Sequence, residues 1–383
     1  MRPLPNPLGS ALLKADLRLR ETDYSTAASL FYPAYLVFQP LSNWCLKRFG
    51  ARIWLPLLVL LWGAVITGQA FVRTRVGTLI SGPIALGLTS LDGRRIHGWH
   101  ALFFVEGVIT MIWSLVIALA VPNYPDNACI LSESERQALA QTLNSEKPEA
   151  GRRKINTGRF VRCLFNPTML LISLTLFCAN IPLNTIMLFG PQVVKDMGFS
   201  SSQAQAMQAL PGFFGLVGIV MASWYVKWFG SHFKSIVFTA SAVVLGGIIL
   251  LTTLNVVARM FALCLLGFGG FGMLGIGPGW LATNVASNVT LGGAASSVFL
   301  ICGGMGGIVA SNIYRNQDAP RYLLGHGINL MSGAVAIMLA ALARYNMARI
   351  NRRKTRNPMD ISALSYDDIQ CLEERHPDFR YIY

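Results

Sequence analysis

Eight runs of roughly twenty residues, at 25–43, 54–72, 168–189, 208–226, 235–254, 260–282, 292–313 and 328–347, are uncharged or charged only at an end. About that many helical residues cross a hydrocarbon core about 30 Å thick. A backbone in lipid must satisfy its own hydrogen bonds, so runs of this kind fold as helices. A ninth run, 102–121, holds one acid, Glu106. A tenth, 76–91, is uncharged but short and contains Gly77, Gly82, Pro83 and Gly87. Of the 383 residues 53% are hydrophobic and 13% charged, about half the charged share of a soluble domain. The chain reads as an all-α polytopic membrane helix bundle of about 9–10 helices.

The net charge of +14 would raise nucleic acid as a partner in a soluble protein. Here the bases lie in loops between apolar runs, so the expected partner is the lipid bilayer and not nucleic acid. The loops at 45–52, 122–166 and 227–234 are basic, as is the flank holding Arg349, Arg352, Arg353, Lys354 and Arg356. Short basic loops stay cytoplasmic, which places the C-terminus inside. Six spans from 168–189 to 328–347 return the chain to the side it left. The front half closes only if 76–91 is a re-entrant or half-length helix sheltered by protein. Met1–Tyr24 then lies outside, and it has no apolar core of a signal peptide.

The expected organisation is an incomplete N-terminal transmembrane half at 1–121 and a cytoplasmic central loop at 122–166. A six-helix half at 167–347 and a cytoplasmic tail at 348–383 complete it. Within the loop, Ser132 and Glu135 have the spacing of a capping box that opens a short helix. From Asp360 onward the tail is polar, acidic and expected to be mobile.

Two stretches repeat one pattern. N-W-C-L-K-R-F-G-A-R at Asn43–Arg52 matches S-W-Y-V-K-W-F-G-S-H at Ser223–His232 without gaps at Trp44/Trp224, Lys47/Lys227, Phe49/Phe229 and Gly50/Gly230. A tight basic turn repeated between membrane-length helices is what a two-fold-repeated transporter leaves in its sequence.

Polar residues inside spans cost free energy unless they face protein or water. Asn180 and Asn184 share one face beside Pro182. Trp280, Asn284 and Asn288 repeat the same spacing, and Tyr32, Tyr35 and Gln39 form a third stripe. Each stripe is either a helix–helix hydrogen bond or part of a polar cavity that binds a small planar or carboxylated solute. Glu106 is the one acid clearly inside a span, a candidate proton relay or an interfacial residue. Lys47, Arg48 and Arg52, with Lys227 and Lys234, either gate helix ends by pairing with carboxylates and helix C-termini or anchor the topology.

Gly267–Gly272 satisfies G-x-G-x-x-G, but it lies inside an apolar run rather than between a strand and a helix start. Close helix packing explains it better, and Gly212, Gly215, Gly218 and the pairs Gly303–Gly304 and Gly306–Gly307 read the same way. The seven cysteines and five histidines show no metal spacing. No catalytic motif appears, so no enzyme activity, cofactor or metal is expected.

Several stretches together resemble the allantoate permease family of the major facilitator superfamily, the fungal anion:cation symporter group. They are Asp16-Leu17-Arg18-Leu19, Tyr35-Leu36-Val37-Phe38-Gln39-Pro40, Lys47-Arg48-Phe49-Gly50, Trp99-His100-Ala101-Leu102-Phe103 with Glu106-Gly107, Asp318-Ala319-Pro320-Arg321-Tyr322 with Gly325-His326, and Pro377-Asp378-Phe379-Arg380-Tyr381. The resemblance implies a major-facilitator bundle that carries a small organic anion (a ureide, vitamin-like or nicotinate-like carboxylate) by alternating access. It further implies proton coupling, the plasma membrane and a monomer. Against the family's twelve helices, most of the first is missing. At Arg75–Val76 the sequence passes from the end of a third helix into something like the fifth, leaving the bundle truncated. The alternative expectation is a non-transporting remnant that acts as a partner or regulator, or is inactive.

Overall fold

The computed structural model describes residues 48–69, 98–121, 165–285, 289–357 and 379–383, with isolated positions at 33–46, 132–137 and 377. Every regular element among them is helical. They divide into two compact units, Met1–Glu149 and Ala150–Tyr383.

In the first unit, α1 (Ala51–Gln69) packs along α2 (Gly98–Ala120). The seam is made by glycine. A Cβ on Gly63 would meet the Gly107 carbonyl at 2.9 Å, and one on Gly107 would meet the Thr67 backbone nitrogen at 2.5 Å. Around this seam Leu61, Trp62, Trp113, Leu115 and Leu119 stand exposed, as lipid-facing side chains would. Ser132 and Glu135 form the expected capping box. Ser132 N–H donates to Glu135 Oε2 at 3.0 Å, and Glu135 N–H donates to Ser132 Oγ at 3.4 Å. The backbone and then the hydroxyl of Ser132 hold the Glu135 carboxyl below its usual range.

The second unit comprises α3 (Pro167–Asp196), α4 (Ser201–Met207), α5 (Ala209–Phe229), α6 (His232–Thr252), α7 (Val256–Asn284), α8 (Val289–Asn312) and α9 (Leu323–Arg356). A 3-10 turn, Asn316–Asp318, precedes α9. Local chemistry sets the ends. Asn166 Oδ1 accepts from Thr168 N–H with Pro167 opening α3. Ser200 and Gln203 form a capping box on α4, and Asn255 Oδ1 accepts from Val257 and Ala258 N–H. The rod of α4 and α5 breaks at Gln208, whose Nε2 donates to the Ile186 carbonyl at 2.7 Å; Gly190 leaves the room for it.

Eight helical spans among the described residues are long and apolar enough to cross a bilayer. They correspond to the runs expected at 54–72 and from 102–121 onward, while 25–43 and 76–91 lie outside the described residues save isolated positions. Most helices run past the charge-free windows. In α9, Arg353, Lys354 and Arg356 extend the helix in its last turn, where cations offset the carbonyl dipoles.

Helix α7 is the hub, packed on α5, α6 and α3. Its glycines serve different neighbours. A Cβ on Gly267 would strike the Pro211 carbonyl of α5, one on Gly269 the Thr239 carbonyl of α6 at 2.5 Å, and one on Gly270 the Leu183 nitrogen of α3 at 3.1 Å. The G-x-G-x-x-G pattern is therefore a three-sided packing surface. Gly212 departs from the expected reading, because no atom lies within 4 Å of a Cβ placed there.

The repeated turn has a shared backbone cause. Gly50 and Gly230 both take left-handed φ, 79° and 60°. The Gly50 N–H bonds to Leu46 O at 3.0 Å and the Gly230 N–H to Val226 O at 2.8 Å. Each glycine closes one helix and lets the next begin within two residues.

Candidate functional site

The most developed polar cluster in the second unit gathers side chains from α3, α7, α9 and the turn before α9. Arg259, in the first turn of α7, is 3% exposed. Its Nη2 donates to the Pro320 carbonyl at 3.0 Å and lies 3.5 Å from His326 Nε2, while its Nε has no partner. A guanidinium only donates, so Nε2 must accept and the ring proton sits on Nδ1. That nitrogen is 2.8 Å from the Tyr314 hydroxyl, which also accepts from Asn329 Nδ2 at 3.0 Å. Asn329 lies 3.4 Å from Thr185 Oγ1 of α3, and the Tyr322 hydroxyl donates to Asp196 Oδ2 at the end of α3.

Burial pushes the Tyr314 phenol above its usual range; burial and then the Asp196 carboxylate do the same for Tyr322. Unfolded tyrosine ionises near pH 10, and the folded phenols do so only at higher pH. The unfolded state therefore binds fewer protons in that window, and stability falls as pH rises through it. The expected result is a melting temperature that these phenols leave unaltered through neutral pH and that drops above about pH 10. A Tyr314→Phe chain should show a shallower alkaline drop in the same detergent melts.

Among the described residues, the two pairs expected to bind solute, Asn180 with Asn184 and Trp280 with Asn284, do not converge. Asn180 and Asn184 are half-buried on α3, and their amides bond back along the helix, Asn180 Nδ2 to Leu176 O at 3.0 Å and Asn184 Nδ2 to Asn180 O at 2.8 Å. Asn180 faces α8, since Cβ atoms on Gly303 and Gly306 would meet it at 3.1 and 3.0 Å. Gly270 of α7 lies level with Ala179 and Leu183. Trp280 is about ten residues further on, roughly 15 Å along the axis. The two stripes thus sit at different depths.

Trp280 and Asn284 have another partner, the closing residues of the sequence. Trp280 Nε1 and Asn284 Nδ2 donate to the Ile382 carbonyl at 3.2 and 2.8 Å, and Asn284 Oδ1 accepts from Ile382 N–H at 2.8 Å. Tyr32, Tyr35, Asn288 and Lys47 fall outside the described residues. Arg48, Arg52 and Lys227 are exposed beside the repeated turns. Glu106 is partly buried in the third turn of α2, beside the Gly107 seam.

The chain segment 68–311 matches the Major Facilitator Superfamily. The chain belongs to that superfamily. Its membership and the eight apolar spans among its described residues make it a multi-pass membrane transporter of a small molecule. An uncharacterized transporter of Schizosaccharomyces pombe is 23% identical over 387 residues, covering 88% of this chain and 76% of that relative. That alignment is longer than the part of this facilitator chain it uses, so the relative has residues with no counterpart here. A putative tartrate transporter of Agrobacterium vitis is 24% identical over 256 residues, covering 55% of this chain and 58% of the relative. The crystal structure of a D-xylose-proton symporter shares the fold at TM-score 0.56 and 15% identity, over 84% of this chain and 86% of the symporter chain.

Sequence reading missed the Arg259 cluster for a definable reason. A charge ends an apolar run, so the run 260–282 begins one residue after Arg259. The usable signal is Tyr322, His326 and Asn329, spaced at i+4 and i+3 on one face like the Asn180–Asn184 stripe.

Proposed function

We propose that this facilitator is a secondary carrier of a small organic anion, working by alternating access and coupled to protons. The supporting observation is the superfamily match together with relatives named for tartrate, a hydroxy-dicarboxylate. The allantoate permease motifs quoted above support the same solute class. In this reading Asn180 and Asn184 present amide groups to the solute when α3 and α8 part, and Glu106 takes the proton. Lys47, Arg48, Arg52 and Lys227 gate the helix ends at the two repeated turns. The C-terminus is cytoplasmic and the membrane is the plasma membrane.

Uptake of radiolabelled tartrate, nicotinate and allantoate into permease-deficient yeast tests this, with a neutral sugar as control. Saturable uptake of at least one anion is expected, stimulated by an inward proton gradient and collapsed by a protonophore. Glu106→Gln should remove the gradient dependence while leaving exchange of solute in place. Asn184→Ala should raise KM several-fold, about 1 kcal/mol for one hydrogen bond. No uptake of any anion by chain that has reached the cell surface would defeat the carrier reading. The remnant reading, favoured by the relatives' extra residues, would then stand.

A further inference from the structure

The five closing residues, Phe379–Tyr383, are bound as a peptide is bound. Asn351 of α9 reads Tyr381 from both sides. Its Nδ2 donates to the Tyr381 carbonyl at 2.9 Å and its Oδ1 accepts from the Tyr381 N–H at 3.0 Å. Asn284 at the end of α7 does the same to Ile382, with Trp280 as a second donor to that carbonyl. Lys354 Nζ donates to the Phe379 carbonyl at 3.0 Å and stands 5.1 Å over the Phe379 ring. Arg344 stands 5.7 Å over the Tyr383 ring and 4.8 Å over Phe233 of α6.

The main-chain N–H and carbonyl of both Tyr381 and Ile382 are paired by side-chain amides, which recognise backbone whatever side chains it carries. Specificity comes from the aromatic positions. Tyr381 is 5% exposed and joins the same apolar cluster as Trp280, Ala343 and Met347. The groups at the α7 end are enclosed, Trp280 and Asn284 both at 0% exposure, while Asn351 and Lys354 of α9 are half-buried. Without the segment, Trp280 Nε1 and Asn284 Oδ1 would lose these partners, while Asn284 Nδ2 would keep the Trp280 carbonyl at 2.9 Å.

The placement gives the contact a mechanical consequence. Helices α7 and α9 both pack on α3 and α6 but have no extended contact with each other. The segment is what joins Asn284 to Asn351.

We propose that the ends of α7 and α9 form a peptide-binding groove whose resident occupant is the chain's own Phe379–Tyr383 segment, held as a displaceable strap. Any carrier state that moves the end of α7 away from α9 must shed the strap. A competing segment with the same aromatic-x-aromatic pattern would occupy the same groove.

Hydrogen exchange on the full chain in nanodiscs is the direct test. The Tyr381 and Ile382 amides are expected to exchange at least about a hundredfold more slowly than in the free hexapeptide 378–383, as paired amides do. An Asn284→Ala/Asn351→Ala chain should return them to the free-peptide rate while α7 stays protected. Free-peptide exchange in the unmodified chain, or protection that survives the double substitution, would overturn the proposal. A second measurement uses chain ending at Pro377 and a fluorescein-labelled Asp-Phe-Arg-Tyr-Ile-Tyr peptide. One-to-one binding is expected, with weak binding to full chain, whose groove is filled, and roughly tenfold loss on Trp280→Phe. Equal binding to the full and shortened chains would count against it.

Discussion

Gly218→Leu is expected to abolish recovery of folded, monodisperse protein from detergent, while Gly212→Leu on the same helix leaves yield and melting temperature nearly unchanged. A Cβ at Gly218 would run into the carbonyl of Phe268, with the Phe268 carbonyl carbon 2.9 Å and the Cα 3.0 Å away. From the other side, a Cβ at Gly267 would strike the Pro211 carbonyl of α5. The obstacle at both places is backbone, so no side chain can rotate to make room. The helices must separate, and separation takes with it the Phe271 ring held against Gly215. In lipid, apolar burial does not pull helices back together, so lost packing is not replaced. Overpacking in a close-packed interior costs about 1–3 kcal/mol, and a backbone clash at the hub helix belongs at or beyond the upper end. Gly212 has open space where its Cβ would go, so leucine there is a surface change within about 0.5 kcal/mol. Size-exclusion profiles and thermal melts of the two variants side by side check this. Equal behaviour would refute the α5–α7 seam.

Those two glycines also show where the sequence is readable and where it stops. The bilayer imposes length and apolarity on each rod, so Ala51–Gln69 and the later helices could be placed from long apolar runs with little or no charge. Gly230 and Gly50 were visible as a repeat because one backbone conformation demands glycine at both. Gly212 and Gly218, six residues apart on one helix, look alike in sequence. Which of them faces a neighbour depends on the rotation of α5 about its axis, and a uniformly apolar helix has no polar face to declare that rotation. The stripe Trp280–Asn284 failed to declare its partner for a different reason. Nearly a hundred residues separate it from Ile382, and an amide that binds a solute and one that binds a peptide unit are the same residue. The acidic composition of 360–383 pointed to a loose tail, but Phe379 and Tyr381 carry aromatic surface that the bundle end buries.

Arg259→Leu is expected to lower stability by about 2–4 kcal/mol, and the double substitution Arg259→Leu/His326→Leu to recover a substantial part of that loss. The direction depends on two opposing effects. Removing a guanidinium relieves the desolvation of a charge held at 3% exposure, which by itself would favour leucine. Against it, leucine strips a donor from the Pro320 carbonyl and from His326 Nε2. Each buried acceptor left bare costs about 1–3 kcal/mol. The damage extends past the first partner. With Nε2 bare, nothing fixes the imidazole tautomer, so Tyr314 loses the donor that oriented it toward Asn329, and the link to Thr185 of α3 weakens. The cluster joins three helices through single hydrogen bonds in series, which is why two acceptors' worth of loss is expected to outweigh the relief of one charge. Replacing His326 as well removes the bare acceptor, and apolar pairs that substitute for polar ones of similar shape are close to neutral. Thermal melts of the two single variants and the double one give the coupling, expected at about 1 kcal/mol or more for residues in direct contact. A more stable Arg259→Leu chain, or single-variant losses that simply add, would mean that the cation sits in the bundle at a cost and holds nothing together.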